Sequence, residues 1–98
     1  MSRIAARFKA LAAQGRGALI PYLEAFDPDL DTSLALLKAM PAAGADLIEV
    51  GVPFSDPSAD GPVIQLAARR GLKAGSTLAG VLHMVAASRE GANETPIT

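Results

Sequence analysis

Cysteine and tryptophan are absent from this 98-residue sequence, and aromatic residues make up only 4% of it. The lack of cysteine excludes a disulfide scaffold, a thiolate zinc site and a thiol nucleophile. Nine basic and ten acidic residues give a net charge of −1, which argues against the clustered positive charge of nucleic-acid-binding proteins. No apolar run approaches the roughly 18 to 20 residues that a membrane-spanning helix requires. We therefore expect a soluble protein that binds neither nucleic acid nor membrane.

The apolar half of the chain, 50% of its residues, is enough for the core of one small domain over residues 1–98. Residues 1–23 carry basic but no acidic side chains, as a transit peptide would. However, Ile4, Phe8 and Leu11 recur at helical spacing, and Lys9 interrupts the apolar stretch that a signal peptide needs. This pattern favours an amphipathic helix packed on the domain, and hence a cytoplasmic protein.

Predicted strands and helices alternate along the chain. Residues 18–23 and 46–53 are predicted strands, and residues 96–98 have the pattern of the first residues of a third. The helices should begin after these candidate capping residues: Asp31 or Thr32, Gly61, and Ser76 or Thr77. Strands that alternate with helices predict an α/β fold with a parallel sheet built from βαβ units.

Glu49 interrupts the otherwise apolar second strand. Alternation places Ile48, Val50 and Val52 on one face, which suits packing under helices, and Glu49 on the other. A buried carboxyl group needs a partner or a function, because burial without either is costly. One interpretation is an ion pair with a neighbouring Arg or Lys. The other is proton transfer, because burial raises the pKa of a carboxyl group.

Asp60 has a different predicted environment. It precedes the expected helix start at Gly61 and Pro62, where free backbone N–H groups and the helix dipole favour a negative charge. Two carboxyl groups in contrasting surroundings commonly divide the roles of proton donor and anionic stabiliser within one active site. The alternative is an ordinary loop or capping aspartate.

The segment LIEVGVPFSDPSADGPVIQ, residues 47–65, resembles the tryptophan synthase α-subunit family, which has this strand, a Pro-Phe-Ser-Asp-Pro loop and an Ala-Asp-Gly-Pro turn. Similar segments occur along the chain: RF at 7–8, ALIPY at 18–22, DPD at 27–29, AGAD at 43–46 and KAGSTL at 73–78. The resemblance implies a TIM (β/α)8-barrel lyase that cleaves indole-3-glycerol phosphate into indole and glyceraldehyde 3-phosphate.

The resemblance also implies roles for individual residues. Glu49 would act as general acid and base, protonating the indole ring carbon and handling the glycerol hydroxyl proton. Asp60 would hydrogen-bond the indole N–H and stabilise the positive charge that grows on the ring. Tyr22 and Ile64 would line the substrate pocket. No metal or organic cofactor is implied for this chain.

A partner is implied as well. Members of the family usually assemble with a β subunit into an α2β2 heterotetramer, and pyridoxal phosphate belongs to that partner. The loop containing Pro53, Asp56 and Pro57 resembles the part of the family that contacts the β subunit.

A complete barrel of this kind needs about 250 residues. The resemblance therefore implies a partial barrel, made of an N-terminal helix, two βα units and the start of a third strand, with negligible turnover alone. Two alternatives are a non-catalytic module that docks on the β subunit and a stand-alone lyase that releases indole freely.

Two residues depart from the family's pattern: Phe26 stands where glycine is usual, and Glu24 where threonine is usual. Alternation from Tyr22 places Glu24 on the same inward face of its strand. A bulky residue at position 26 would be strained if its φ angle is positive.

Overall fold

In a computed structural model, the described residues are 2–56, 59–90 and 94–98. Within these ranges the chain forms α1 (Arg3–Ala13), β1 (Tyr22–Glu24), α2 (Leu30–Ala39), β2 (Glu49–Gly51), α3 (Pro62–Lys73) and α4 (Leu78–Ser88). The predicted alternation of strands and helices is confirmed. Across this described part of the chain, no helix combines the length and the apolar character needed to cross a membrane.

The two strands pair in parallel, as predicted. Tyr22 lies opposite Glu49, Leu23 opposite Val50, and Glu24 opposite Gly51. Parallel pairing brings the carboxyl ends of β1 and β2 to the same edge of the sheet.

The predicted third strand begins on the other side of β2. Ile48 and Ile97 form a parallel bridge. The Ile48 N–H donates to the Pro96 carbonyl at 2.9 Å, and the Thr98 N–H donates to the Ile48 carbonyl at 2.9 Å. This segment therefore continues the parallel arrangement.

Both strands are shorter than the sequence predicts. β1 begins at Tyr22 rather than at residue 18, and Leu19 and Ile20 are exposed. Pro21, directly before β1, has no N–H to donate to a ladder. β2 ends at Gly51, so the prediction that Val52 is buried with Ile48 is wrong, because the chain has left the sheet there.

The core lies between one face of the sheet and the helices. α2 packs on α4 and on β1, and α3 packs on β1. The buried apolar residues that make up this core come from β1, the connecting segments and helices α2 and α4: Leu23, Ala25, Phe26, Leu37, Ala45, Ile48, Val81 and Met84. Ile48, directly before β2, is fully buried, and Val50 inside β2 packs partly buried against the same core. The predicted direction of the apolar face is therefore confirmed for these two residues.

Asp29 caps α2, which corrects the prediction of Asp31 or Thr32. The Asp29 carboxylate accepts a hydrogen bond from the Thr32 N–H at 2.8 Å, and Asp29 has the extended backbone of a capping residue. Gly61 and Thr77 precede α3 and α4, as predicted. The predicted cap of α2 was misplaced because three capping-competent side chains lie within four residues.

Helix α1 is confirmed, but it packs less closely than its apolar pattern suggests. Leu11 is buried, whereas Ile4 and Phe8 remain substantially exposed. Polar contacts also tie this part of the chain to the sheet, because Arg7 donates through Nε to Asp46 Oδ1 at 3.1 Å.

Asp46 is a buried anion just before β2, with 1% of its side chain exposed. The Leu19 N–H donates to Oδ2 at 2.8 Å, and Arg16 donates through Nη1 at 3.2 Å and Nη2 at 3.1 Å. The Leu19 N–H and the guanidinium groups of Arg16 and Arg7 hold the pKa of Asp46 well below its usual range. This ion cluster joins α1 and the segment before β1 to the start of β2.

Candidate functional site

The sheet face opposite the core carries the predicted site residues of the strands. Side chains alternate along a strand, and Leu23 and Val50 lie with the core. The residues on either side of Leu23 and Val50 therefore share the other face of the sheet. They are Tyr22 and Glu24 of β1 and Glu49 and Gly51 of β2. We call these four residues the carboxylate face.

Tyr22 and Glu24 form a hydrogen-bonded pair on this face. The Tyr22 hydroxyl donates to Glu24 Oε1 at 3.1 Å. Glu24 is 6% exposed and Tyr22 is 44% exposed. A Cβ atom at Gly51 would collide with the Tyr22 hydroxyl and Glu24 Oε1, and would lie 2.6 Å from Tyr22 Cζ. The Tyr22 hydroxyl and Glu24 Oε1 can lie over residue 51 only because that residue is glycine.

The phenol of Tyr22 lies in a negative environment. Burial, the charge of Glu24 and the hydrogen bond to Glu24 raise the pKa of Tyr22 to about 12, and the charges of Asp60 and Glu49 add to the increase. The three carboxylates thus act on one hydroxyl group. The register also places Tyr22 directly opposite Glu49.

Glu24 is the buried carboxyl group of the carboxylate face. Burial raises the pKa of Glu24, the hydrogen bond from Tyr22 lowers it, and the charges of Asp60 and Asp27 raise it further. Alternation placed Glu24 on the inward face, but nothing in the sequence indicated that it would be the more buried of the two strand glutamates.

Glu49 is exposed, so the expectation that it is buried is wrong for this chain. Its direction is as predicted, on the face opposite Ile48. A two-stranded sheet cannot curve around to enclose its own face, so Glu49 stays exposed. Glu24 is buried on the same face because it lies against the Tyr22 side chain.

Asp60 lies at the N-terminus of α3, where the sequence placed it. Gly61 is the capping residue and Pro62 is the first residue of the helix. The Asp60 carbonyl accepts a hydrogen bond from Gln65 Nε2 at 2.7 Å, which fixes the turn, while its side chain is exposed. Ile64, in the first turn of the same helix, is partly buried. The charge of Asp60 raises the pKa of both Tyr22 and Glu24, so this helix start lies near the carboxylate face.

The residues of the predicted partner-facing loop differ in their burial. Pro53 is buried, with its Cγ 2.6 Å from the position of a Cβ at Gly71 of α3. Its ring therefore packs against α3 within this chain, and its contact with a partner stays a prediction. Asp56 is exposed. Pro57 lies outside the described residues.

Phe26, after β1, has a φ angle of 66°, so the condition for strain is met. Its ring is nonetheless 6% exposed, and its N–H donates to Ser33 Oγ at 3.1 Å. Asp27, the next residue, forms two hydrogen bonds with Arg70 of α3, at 2.6 and 3.0 Å. These contacts hold the loop after β1 against the helix that carries Asp60 at its start.

Within the described ranges, the carboxylate face holds no group of side chains suited to a metal ion, because no three His, Cys, Asp or Glu side chains are grouped there to bind one. A cleft of about 470 Å³ lies against α1, lined by residues that include Arg7, Ala45 and Pro96. Because Ala45 and Pro96 precede their strands, this cleft is at the amino end of the sheet.

Comparison with protein families identifies residues 8–98 with the family model "Tryptophan synthase alpha chain". The chain is 76% identical over 97 residues to the tryptophan synthase alpha chain of Gluconobacter oxydans, covering 99% of this chain and 36% of that protein. It is 75% identical over 97 residues to that of Gluconacetobacter diazotrophicus, covering 99% and 35%. The chain thus spans about a third of the length of these relatives.

Solved structures give the same match. The crystal structure of tryptophan synthase subunit alpha from Legionella pneumophila superposes with a TM-score of 0.95 at 40% identity, covering 99% of this chain and 37% of that one. The aminoacrylate-bound form of tryptophan synthase from M. tuberculosis superposes with a TM-score of 0.82 at 41% identity, covering 87% and 35%.

Proposed function

The chain belongs to the tryptophan synthase alpha chain family, and from this premise we propose that it contributes part of a lyase that converts indole-3-glycerol phosphate into indole and glyceraldehyde 3-phosphate. Its fold is that of the N-terminal part of the family's (β/α)8 barrel. The observation that supports the activity most directly is the strand register, which places Tyr22 opposite Glu49 on the carboxylate face.

In the proposed reaction, Glu49 moves two protons. As an acid it protonates the indole ring carbon that bears the glycerol chain. As a base it accepts the proton of the adjacent glycerol hydroxyl while the carbon–carbon bond breaks, so that the hydroxyl carbon becomes the aldehyde of glyceraldehyde 3-phosphate. The ring proton then makes the departing fragment indole, and atoms and charge balance. Proton transfer by a positioned carboxyl group contributes about 10²- to 10⁴-fold to a rate.

Asp60 has the complementary role. Protonation of the ring places positive charge on the indole, and a carboxylate that accepts a hydrogen bond from the indole N–H stabilises that charge as it develops. Its position before α3 supports this role, because its exposed side chain precedes the helix start at Gly61 and Pro62. Tyr22 and Ile64 line the indole pocket in this proposal.

Glu49 needs a drier environment than it has here. The interior of a closed (β/α)8 barrel is filled with side chains contributed by all eight strands, and the carboxylate face becomes part of that interior. We therefore expect negligible indole release by the 98-residue chain alone. Efficient turnover by this chain would contradict the proposed dependence on a closed barrel.

The proposed partner is a tryptophan synthase β subunit, in a cytoplasmic α2β2 assembly whose pyridoxal phosphate belongs to the β subunit. The exposed Asp56 supports a contact through the loop after β2. Capture of a purified β subunit by the chain, together with no lyase activity in any complete form, would instead favour the non-catalytic docking module. Release of indole by a complete form that does not bind a β subunit would favour the stand-alone lyase.

The test uses a chimera that joins these 98 residues to the remainder of the Gluconobacter oxydans alpha chain, chosen for its 76% identity. The unsubstituted chimera should release indole from indole-3-glycerol phosphate. Glu49→Gln should lower kcat by about 10²- to 10⁴-fold. Glu90→Gln, an exposed glutamate after α4, is the matched control and should leave kcat unchanged.

Asp60→Asn should lower kcat by about 10²- to 10³-fold, the usual contribution of one group that stabilises developing charge. Asp31→Asn, at an exposed site in the first turn of α2, is its control. A folded chimera that releases no indole overturns the proposed function. An active chimera in which Glu49→Gln matches its control overturns the role of Glu49.

A further inference from the structure

The Tyr22–Glu24 pair performs no step in the mechanism above, yet it is the most constrained feature of the carboxylate face. Glu24 is a buried carboxyl group whose hydrogen-bond donor in the structure is the Tyr22 hydroxyl. Both side chains occupy the space over Gly51 that any other residue at position 51 would fill. Contact with Gly51 of β2 and the hydrogen bond between the two side chains therefore both restrain the pair.

We propose that Glu24 is a positioning residue, which holds the hydroxyl end of the Tyr22 ring over Gly51 and so sets the floor of the substrate pocket. This inference rests on the proposed function, because the pocket is the one that would hold the indole group. Glu24 itself touches no reacting atom in this account.

The geometry favours positioning over simple packing. Tyr22 is 44% exposed, so its neighbours do not enclose its ring. The hydrogen bond to the buried Glu24 carboxylate restrains the hydroxyl end of that ring. The register reinforces it, because Glu24 lies directly opposite Gly51 and Tyr22 directly opposite Glu49. A ring fixed at this place lies beside the carboxyl group to which the proposed mechanism assigns proton transfer.

The first experiment is a spectroscopic titration of the 98-residue chain. Tyr22 is the only tyrosine and tryptophan is absent, so the ultraviolet absorbance of tyrosinate reports this residue alone. We expect a phenol pKa near 12 in the native chain, and a value near the ordinary 10 in urea. Glu24→Gln should move the native value towards 10. Equal values in native and unfolded chains, or no change with Glu24→Gln, would overturn the proposal.

The second experiment measures kinetics in the chimera and does not depend on alkaline stability. Glu24→Ala should raise KM about threefold to tenfold, the usual effect of one lost hydrogen bond, with little change in kcat, since ground state and transition state use the same pocket floor. Glu24→Gln should restore most of the affinity, because its amide oxygen still accepts from Tyr22.

A double-mutant cycle between Tyr22→Phe and Glu24→Ala completes the test. The two effects on KM should be strongly non-additive, because each substitution breaks the same hydrogen bond. Independent effects, or equal impairment by Glu24→Ala and Glu24→Gln, would contradict the positioning role. A chimera without any lyase activity refutes the proposed function, whereas the titration still decides whether Glu24 holds Tyr22.

Discussion

Replacing Phe26 with glycine sets two opposing effects against each other. A non-glycine residue at a φ of 66° costs roughly 1 to 2 kcal/mol, and glycine removes that strain. The ring is only 6% exposed, however, and deleting a buried phenylalanine side chain costs about 3 to 5 kcal/mol. Glycine also lowers the free energy of unfolding by about 0.5 to 1 kcal/mol, because the unfolded chain has more conformational freedom with glycine. We therefore expect Phe26→Gly to lower the free energy of unfolding by about 1.5 to 5 kcal/mol.

Urea unfolding followed by circular dichroism measures this change directly. A chain of this size has a total stability of order 5 to 15 kcal/mol at most, so the loss should be plain as a lower urea midpoint. A Phe26→Gly chain as stable as the native one would refute the reasoning. The backbone strain that glycine relieves would then equal the free energy that the buried ring contributes to folding.

Gly80 of α4 provides an internal check on the same ring. A Cβ atom at this position would lie 2.9 Å from Phe26 Cζ and 3.1 Å from Thr77 Oγ1. In the native chain, Gly80→Ala should destabilise, because overpacking costs about 1 to 3 kcal/mol and outweighs the gain in helix propensity of about 1 kcal/mol. With Phe26→Gly in place the ring is gone, and Gly80→Ala should become neutral or stabilising. Equal effects in the two backgrounds would show that the ring does not press on α4.

Other predictions concern the two ends of the sheet. Asp46, whose pKa lies below its usual range, stabilises the fold above the unfolded-state pKa of about 3.9, and this contribution is lost as the pH falls through its folded-state value. The urea midpoint of the native chain should therefore fall on acidification below about pH 4. The Asp46→Asn chain should have a lower urea midpoint at pH 7, and its midpoint should change less with pH. Parallel pH profiles of the two midpoints would contradict this. Gly51→Ala should displace the Tyr22–Glu24 pair and destabilise the chain by about 1 to 3 kcal/mol, whereas Gly17→Ala, with no atom within 4 Å of its new Cβ, should be neutral or stabilising by about 0.4 to 1 kcal/mol. Equal urea midpoints for these two variants would contradict the close packing over Gly51.

The directions of the side chains on β2 could be predicted from the sequence because alternation is a local property. Ile48 and Val50 face the core and Glu49 faces away from it. The degree of burial could not be predicted, because it depends on what lies across the sheet. The alternating pattern thus located the carboxylate face but did not identify Glu24 as its buried acid.

Ion pairs between residues far apart in the chain could not be predicted from the sequence pattern either. Asp46 was assigned to the start of a strand, whereas its carboxylate binds Arg7 and Arg16, 39 and 30 residues earlier in the chain. Each of these residues is an ordinary charged residue by its local sequence. The caps of α3 and α4, by contrast, could be read directly, because a capping residue and the turn that it caps are neighbours in the chain.

The proposed site is tested most directly by a structure of the complete chimera with an unreactive analogue of indole-3-glycerol phosphate. The account expects the indole ring over Tyr22, its N–H donating to the Asp60 carboxylate, and the Glu49 carboxyl group within about 2.6 to 3.2 Å of the glycerol hydroxyl. An analogue bound away from the carboxylate face, or a Glu49 side chain directed into solvent with the analogue in place, would contradict it.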